Sequence, residues 1–270
     1  MLEYEFMRSA FMAGGIVAVV AGAVGFFLVL RNLTFAGHAL SHVGFAGATG
    51  AVLIGISAFW GLLAFTMAAA VAMGLLGDRL RNRDVAVGIV LSLALGLGVL
   101  FLYLYTTGAA QATAILFGNL LGVSTGTLWS LLGLGVVTLF ALAGISRPLL
   151  FATLEPELAE AKGVSLRLLS VLFLVIVAVA VAEAAQVVGV LLVFALMVGP
   201  AAAAQRLTSR LGQGVALAII LALIETWGGI AVAYITDWPT TFWIVLLSCL
   251  GYFLAVLNPL PAIAESRMRA

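Results

Sequence analysis

The chain has 270 residues, of which 64% are apolar and only 9% charged, and its mean hydropathy is +1.27. A soluble domain carries roughly 45–50% apolar and about 25% charged residues, so this composition cannot cover a water-facing surface. Disorder is excluded too, because it needs low hydrophobicity and high charge. A spanning helix takes about 20 apolar residues, which leaves room for roughly eight to ten of them and defines an all-α polytopic membrane protein. A net charge of +1 points to no nucleic-acid partner.

The first residues, MLEYEFMR, set Glu3 and Glu5 against Arg8 and lack the basic n-region of a cleaved leader, so the first apolar stretch is expected to stay as a span. Breaks between apolar runs place spans near 10–30, 36–55, 58–76, 86–106, 126–145, 168–183, 186–204, 213–235 and 241–257. The second is the weakest, since it carries His38, Ser41 and His42 and is rich in Gly and Ala. Its link to the third, near Ile56 to Ala58, is so short that one of the two could be partial or re-entrant, giving eight or nine spans. The single cysteine, Cys249, lies in an apolar run and has no partner for an intrachain disulfide.

Lys and Arg are retained on the cytoplasmic side of membrane proteins. With nine spans and the C-terminus inside, every basic residue except Arg8 falls in a cytoplasmic segment: Arg31, Arg79, Arg81, Arg83, Arg147, Lys162, Arg167, Arg206, Arg210, Arg267 and Arg269. The complementary external links, near 107–125, 183–186 and 236–240, contain none. The loop of about 146–167 is then cytoplasmic. Within it, Pro156 followed by ELAEAK suits a short helix with Pro in its first turn and acids near its N-terminus, and Gly163 reads as the C-cap. Such a segment is either a solvated connector or a docking element for a cytoplasmic partner. With no GxxxxGK[ST] phosphate loop in the chain, ATP-driven work would fall to a separate subunit.

An ionisable side chain inside a span costs about 2.5–3.5 kcal/mol on insertion scales and is a functional candidate by default. His38 and His42, in GHALSH, are four apart and share a helix face, so they could chelate one cation or simply bond to neighbouring helices. They are the only histidines and fall in one turn, which favours a ligand role. The pair lacks the Glu of HExxH, so a zinc-protease reading has no general base. Glu225, near the middle of the eighth span, is either a cation ligand or second partner, or a protonated packing residue. Glu183, with Gln186, is expected at the outer turn between the sixth and seventh spans, half solvated at an external mouth. Asp237, in YITDWPTT, is a turn acid or part of a funnel that attracts cations, and Trp238, Phe242 and Trp243 around it look like an interfacial aromatic belt.

The stretch LVLRNLTFAGHALSHVGFAGA (Leu28 to Ala48) resembles the signature of the zinc, manganese and iron permeases of ATP-binding cassette importers. Leu154 to Thr208 is similar to that family's cytoplasmic loop and two following helices, and YITDWPTT to a third family position before the last helix. The resemblance implies a single permease domain over 1–270, similar in fold to the vitamin B12 and siderophore permeases and multi-pass in the bacterial inner membrane. It implies a homodimer in membrane lipid, two copies of a cytoplasmic ATPase and an external metal-binding protein. The loop helix would dock on the ATPase, with Glu155, Glu157, Glu160 and Gly163 at the matched positions.

The family's metal-path motif, GDxLSH, falls on Gly37, His38, Leu40, Ser41 and His42, with His38 where Asp is usual. Nitrogen in place of oxygen favours zinc over manganese on ligand softness. Other departures fall at Thr240 and Thr241, where Ser-Gly is common, and at Glu225, where apolar residues are usual. The expectation is therefore an importer permease without ATPase activity of its own and without a permanently bound cofactor. It would move Zn²⁺ as substrate, with Mn²⁺ or Fe²⁺ as alternatives, through a cavity bordered by His38, His42, Glu225 and Asp237. The rivals are a metal-chelate or cobalamin permease, a secondary transporter, and a membrane enzyme or haem protein. Two histidines on one helical turn cannot face each other across a haem.

Overall fold

A computed structural model describes residues 1, 3–77, 83–104 and 116–257. Arg79, Arg81, Arg267 and Arg269, and residues 107–115 of the expected external link, lie outside the described residues. Among the described residues the chain forms ten α-helices and one 3₁₀ turn. They are α1 Glu5–Leu30, α2 Thr34–Leu53, α3 Ala58–Gly77, α4 Arg83–Leu104, the turn Leu120–Gly122, α5 Thr125–Leu154, α6 Pro156–Ala161, α7 Leu166–Val188, α8 Val190–Leu207, α9 Leu211–Thr236 and α10 Thr240–Leu257.

Eight of these helices are long and apolar enough to cross a membrane; the other long one is α2. With 20 residues α2 has the length, and its polar residues alone set it apart. It packs against α3, α4, α7 and α8. The tight link to α3 is a turn with Gly55 at φ +78°, and both helices are continuous, so neither is re-entrant. Near the end of α3, a Cβ on Gly74 would stand 2.6 Å from the Val171 side chain, one turn into α7, so α3 finishes beside the start of α7. α2 is thus a continuous helix of spanning length that stands apart from the eight candidate spans only in apolarity.

The two helices with the most buried circumference are α1 and α7. Glycine makes this possible. At Gly25 of α1 a Cβ would strike the carbonyl oxygen of Met197 in α8, and at Gly22 it would stand 2.8 Å from the Ile219 backbone of α9. Gly47 of α2 and Gly61 of α3 lie each against the other's carbonyl oxygen. Membrane helices associate through such small residues, because lipid removes the hydrophobic drive between them. The outward faces carry large apolar side chains, among them Tyr103, Trp129, Phe140 and Ile235.

α5 runs through Pro148 to Leu154 before the break at Glu155, so the loop expected over about 146–167 opens within this helix. One expectation needs correction. The turn between the sixth and seventh spans lies not at 183–186 but at Gly189, where φ is +80°. It is enclosed, with Val187, Val188 and Val190 buried and Gly189 against the backbone of Leu116 to Gly118. A Pro or Gly within the apolar run would have betrayed an earlier break, and Glu183 alone does not end a helix.

Candidate functional site

His38 and His42 project from the same face of α2, with ring centroids 4.6 Å apart and planes at 81°. Phe194 of α8 packs edge-on to His38 at 4.9 Å. Both imidazoles are half-buried, and Nδ1 of His38 is buried without a hydrogen-bond partner among the described residues. The Ser41 hydroxyl is occupied within its own helix, donating to the His38 carbonyl oxygen at 2.7 Å. Gly37 lies against the Leu28 side chain of α1, where a Cβ would stand 2.6 Å from Cδ2. The geometry is that of a two-nitrogen partial site.

Among the described residues no group of three or more His, Cys, Asp or Glu could hold a metal ion together. Glu225 is 3% exposed in α9, beside Ser248 of α10, with Oε1 3.3 Å from where a Cβ on Gly251 of the same helix would stand. Asp237 is exposed at the end of α9, in the left-handed region at φ 56°, which short polar side chains tolerate. Beside it Trp238 and Trp243 stack at 5.8 Å, Phe242 lies 5.3 Å from Trp243, and the Trp243 indole donates to the Thr236 hydroxyl at 2.9 Å. This is the compact aromatic cluster expected of a membrane interface.

Glu183 departs most from expectation. It is 0% exposed rather than half solvated, because α7 continues past it to Val188. Its Oε1 lies 2.9 Å from where a Cβ on Gly135 of α5 would stand, and Ile16 and Val20 of α1 border the same point. Both of its oxygens are unpartnered among the described residues. Gln186, one turn on, is half-buried.

At the opposite end of the bundle, α6 takes the expected form. Pro156 occupies its first turn. Gly163, at φ +82°, closes it with the paired bonds Gly163 N to Glu160 O (2.9 Å) and Val164 N to Ala159 O (3.0 Å), the Schellman arrangement. Ala159 is buried, whereas Glu155, Glu157, Glu160 and Gly163 are exposed, together with Leu154 and Leu158. The Lys162 ammonium sits 5.4 Å above the Phe151 ring, holding the turn against α5.

Sequence reasoning missed two features here. Phe194 lies in an unbroken apolar run and carries no signal of its own. Arg31 served only as a topology marker, although it bonds to both helices that flank α6.

A bundle with eight candidate spans, an exposed acidic helix at one end and paired imidazoles inside is the frame of a multi-pass membrane protein. The chain belongs to the ABC 3 transport family, whose model matches residues 3–258, and is an ABC-importer permease for metal. It is 32% identical over 256 residues to the manganese transport system membrane protein MntC of Halalkalibacterium halodurans, covering 94% of this chain and 88% of the relative. It is 29% identical over 258 residues to the manganese import system permease protein ScaB of Streptococcus parasanguinis, covering 94% and 90%. In fold it is similar to PsaBC from Streptococcus pneumoniae, solved in complex with Fab, with a TM-score of 0.86, 25% identity and coverage of 100% and 97%. An inward-facing ABC transporter of metal-chelate type matches with a TM-score of 0.72 at 17% identity, covering 93% and 85%, which shows the shared fold.

Proposed function

We propose that this chain, as a single domain over 1–270, is the permease subunit of an ATP-driven importer whose cargo is a divalent transition metal, manganese first. The observation that carries the choice is that relatives spanning nearly the whole chain are named for manganese transport. This reverses the order expected from the sequence, where nitrogen at position 38 put zinc ahead. Zinc stays as the second reading, because imidazole suits zinc while carboxylate, carbonyl and water suit manganese, and the unpartnered Nδ1 of His38 is a nitrogen donor.

In this reading an external binding protein delivers the metal to a homodimer in the bacterial inner membrane, entering past Asp237 with Glu183 and Gln186 below. His38 and His42 hold it briefly, with Glu225 as a further ligand on the path. A two-nitrogen site suits a permease, which must release what it binds, whereas a closed cage would retain the ion. Two copies of a separate ATPase dock on the exposed acidic face of Glu155, Glu157, Glu160 and Gly163, and the C-terminus is cytoplasmic.

The test is uptake of radioactive manganese or zinc into proteoliposomes holding the chain with its ATPase and binding protein. ATP-dependent manganese uptake, competed weakly by zinc, is the expected result. His38→Ala with His42→Ala should abolish that uptake with the complex still assembled; normal uptake in the double variant would remove the imidazoles from the path.

A further inference from the structure

Three parts of the molecule meet at Arg31. α1 ends there in a closed turn, with Asn32 N bonded to Val29 O and Leu33 N to Leu28 O, both at 3.0 Å, and Asn32 in the left-handed region at φ 55°. This Schellman closure is stiff, and α2 begins immediately after it at Thr34. Gly37 seats α2 against Leu28, so the joint has little freedom to bend. His38 is one turn into the helix that the joint carries.

The guanidinium turns away from α1 toward the two helices that flank α6. Its Nη1 donates to the Leu149 carbonyl at 3.5 Å and to Thr153 Oγ1 at 3.3 Å, both in the closing turns of α5. Its Nη2 donates to Ser170 Oγ at 3.2 Å, near the start of α7, and its centre lies 5.7 Å from the Phe173 ring. Thr153 in turn donates to the Leu149 carbonyl at 2.6 Å, so the bonds form a chain back into the α5 backbone. Arg31, Thr153, Ser170 and Pro156, the first residue of α6, all line one cavity of about 280 Å³.

We propose that Arg31 is a positioning residue of the transport cycle. It ties the two helices that hold α6 to the α1–α2 joint, so that displacement of α6 by the ATPase is delivered to the turn bearing His38 and His42. The planar fork of arginine suits this task, because it presents several fixed donors to acceptors on two helices at once, whereas a lysine offers a compact point charge. The inference rests on the importer reading above, and it adds the physical connection between the two ends of that reading.

The experiment measures metal transported per ATP hydrolysed in proteoliposomes holding the full complex, with the amount of assembled complex determined in parallel. Arg31→Gln should lower that ratio by about fivefold or more, the lower end of coupling between distant sites, and Arg31→Lys should not restore it. Thr153→Val with Ser170→Ala removes the hydroxyl acceptors while leaving Arg31 in place, and should lower the ratio in the same direction. Adding Arg31→Gln to that pair should cause little further loss, as expected for residues acting through one network.

An unchanged ratio in an assembled Arg31→Gln complex overturns the proposal, as does a fully additive triple variant. A merely structural role would reduce the yield of complex and leave transport per ATP alone. If Arg31→Gln does not assemble, the hydroxyl pair decides by the same ratio. Absence of ATP-dependent uptake in the unaltered complex would instead reject the importer reading itself.

Discussion

A methyl group added at Gly25 would collide with the main-chain carbonyl of Met197, and backbone cannot rotate aside as a side chain can. Gly25→Ala should therefore destabilise the bundle by about 1–3 kcal/mol, the usual cost of overpacking, read as a lower unfolding midpoint in detergent. Gly133→Ala on α5 is the control: nothing lies within 4 Å of its added Cβ, and removing a helical glycine should stabilise by about 0.5–1 kcal/mol. Spacing shows that His38 and His42 share a face, and the structure agrees. Burial of Glu183 was not legible, because a helix end depends on where the next segment packs. Leu116 to Gly118 covers the turn at Gly189, and nothing in the apolar run around it records that contact.

Among the elements, α6 was the most legible, since proline at its start and glycine past its end are local signals needing no tertiary context. Its closing turn requires a positive φ at Gly163. Gly163→Ala should cost about 1 kcal/mol or somewhat more through left-handed strain. Since the strain falls on the exposed turn, the expected readout is weaker co-purification of the ATPase with the membrane span intact. Charge reversal at Glu157 and Glu160, both exposed, should reduce co-purification further and make the remainder sensitive to salt. Unchanged recovery in both variants would move the docking surface away from α6. Where α5 stops was harder to read, because Pro148 looks like a helix end yet sits within a helix that continues to Leu154. Membrane helices accept proline when neighbouring groups satisfy the freed carbonyl.

Over the whole molecule, one alternating path puts Arg31, α6 and Gln205 at the same end, with the Gln205 amide donating to the Phe26 carbonyl at 2.9 Å. Asp237 falls at the other end. A cysteine at position 237 in a Cys249→Ser background should accordingly react with an impermeant thiol reagent on intact cells, and one at position 160 only after the cells are opened. The reverse pattern would invert the topology. Architecture was legible because span length and the placement of basic residues are properties of the chain alone. Which acids stand beside the imidazoles was not legible, since helix spacing says nothing of which helices become neighbours; among the described residues no group of three or more His, Cys, Asp or Glu gathers there. The least apolar long helix, α2, also bears on how the protein is made. Its polar residues, His38, Ser41 and His42 among them, leave it poorly equipped to enter lipid unaided. Its entry during synthesis must depend on adjacent segments, above all α3, whose Gly61 meets Gly47 across the tight turn. Nascent chains halted just after residue 53 should thus leave α2 outside the bilayer, and chains extended through α3 should draw it in, a difference that a reporter fused at each length would register.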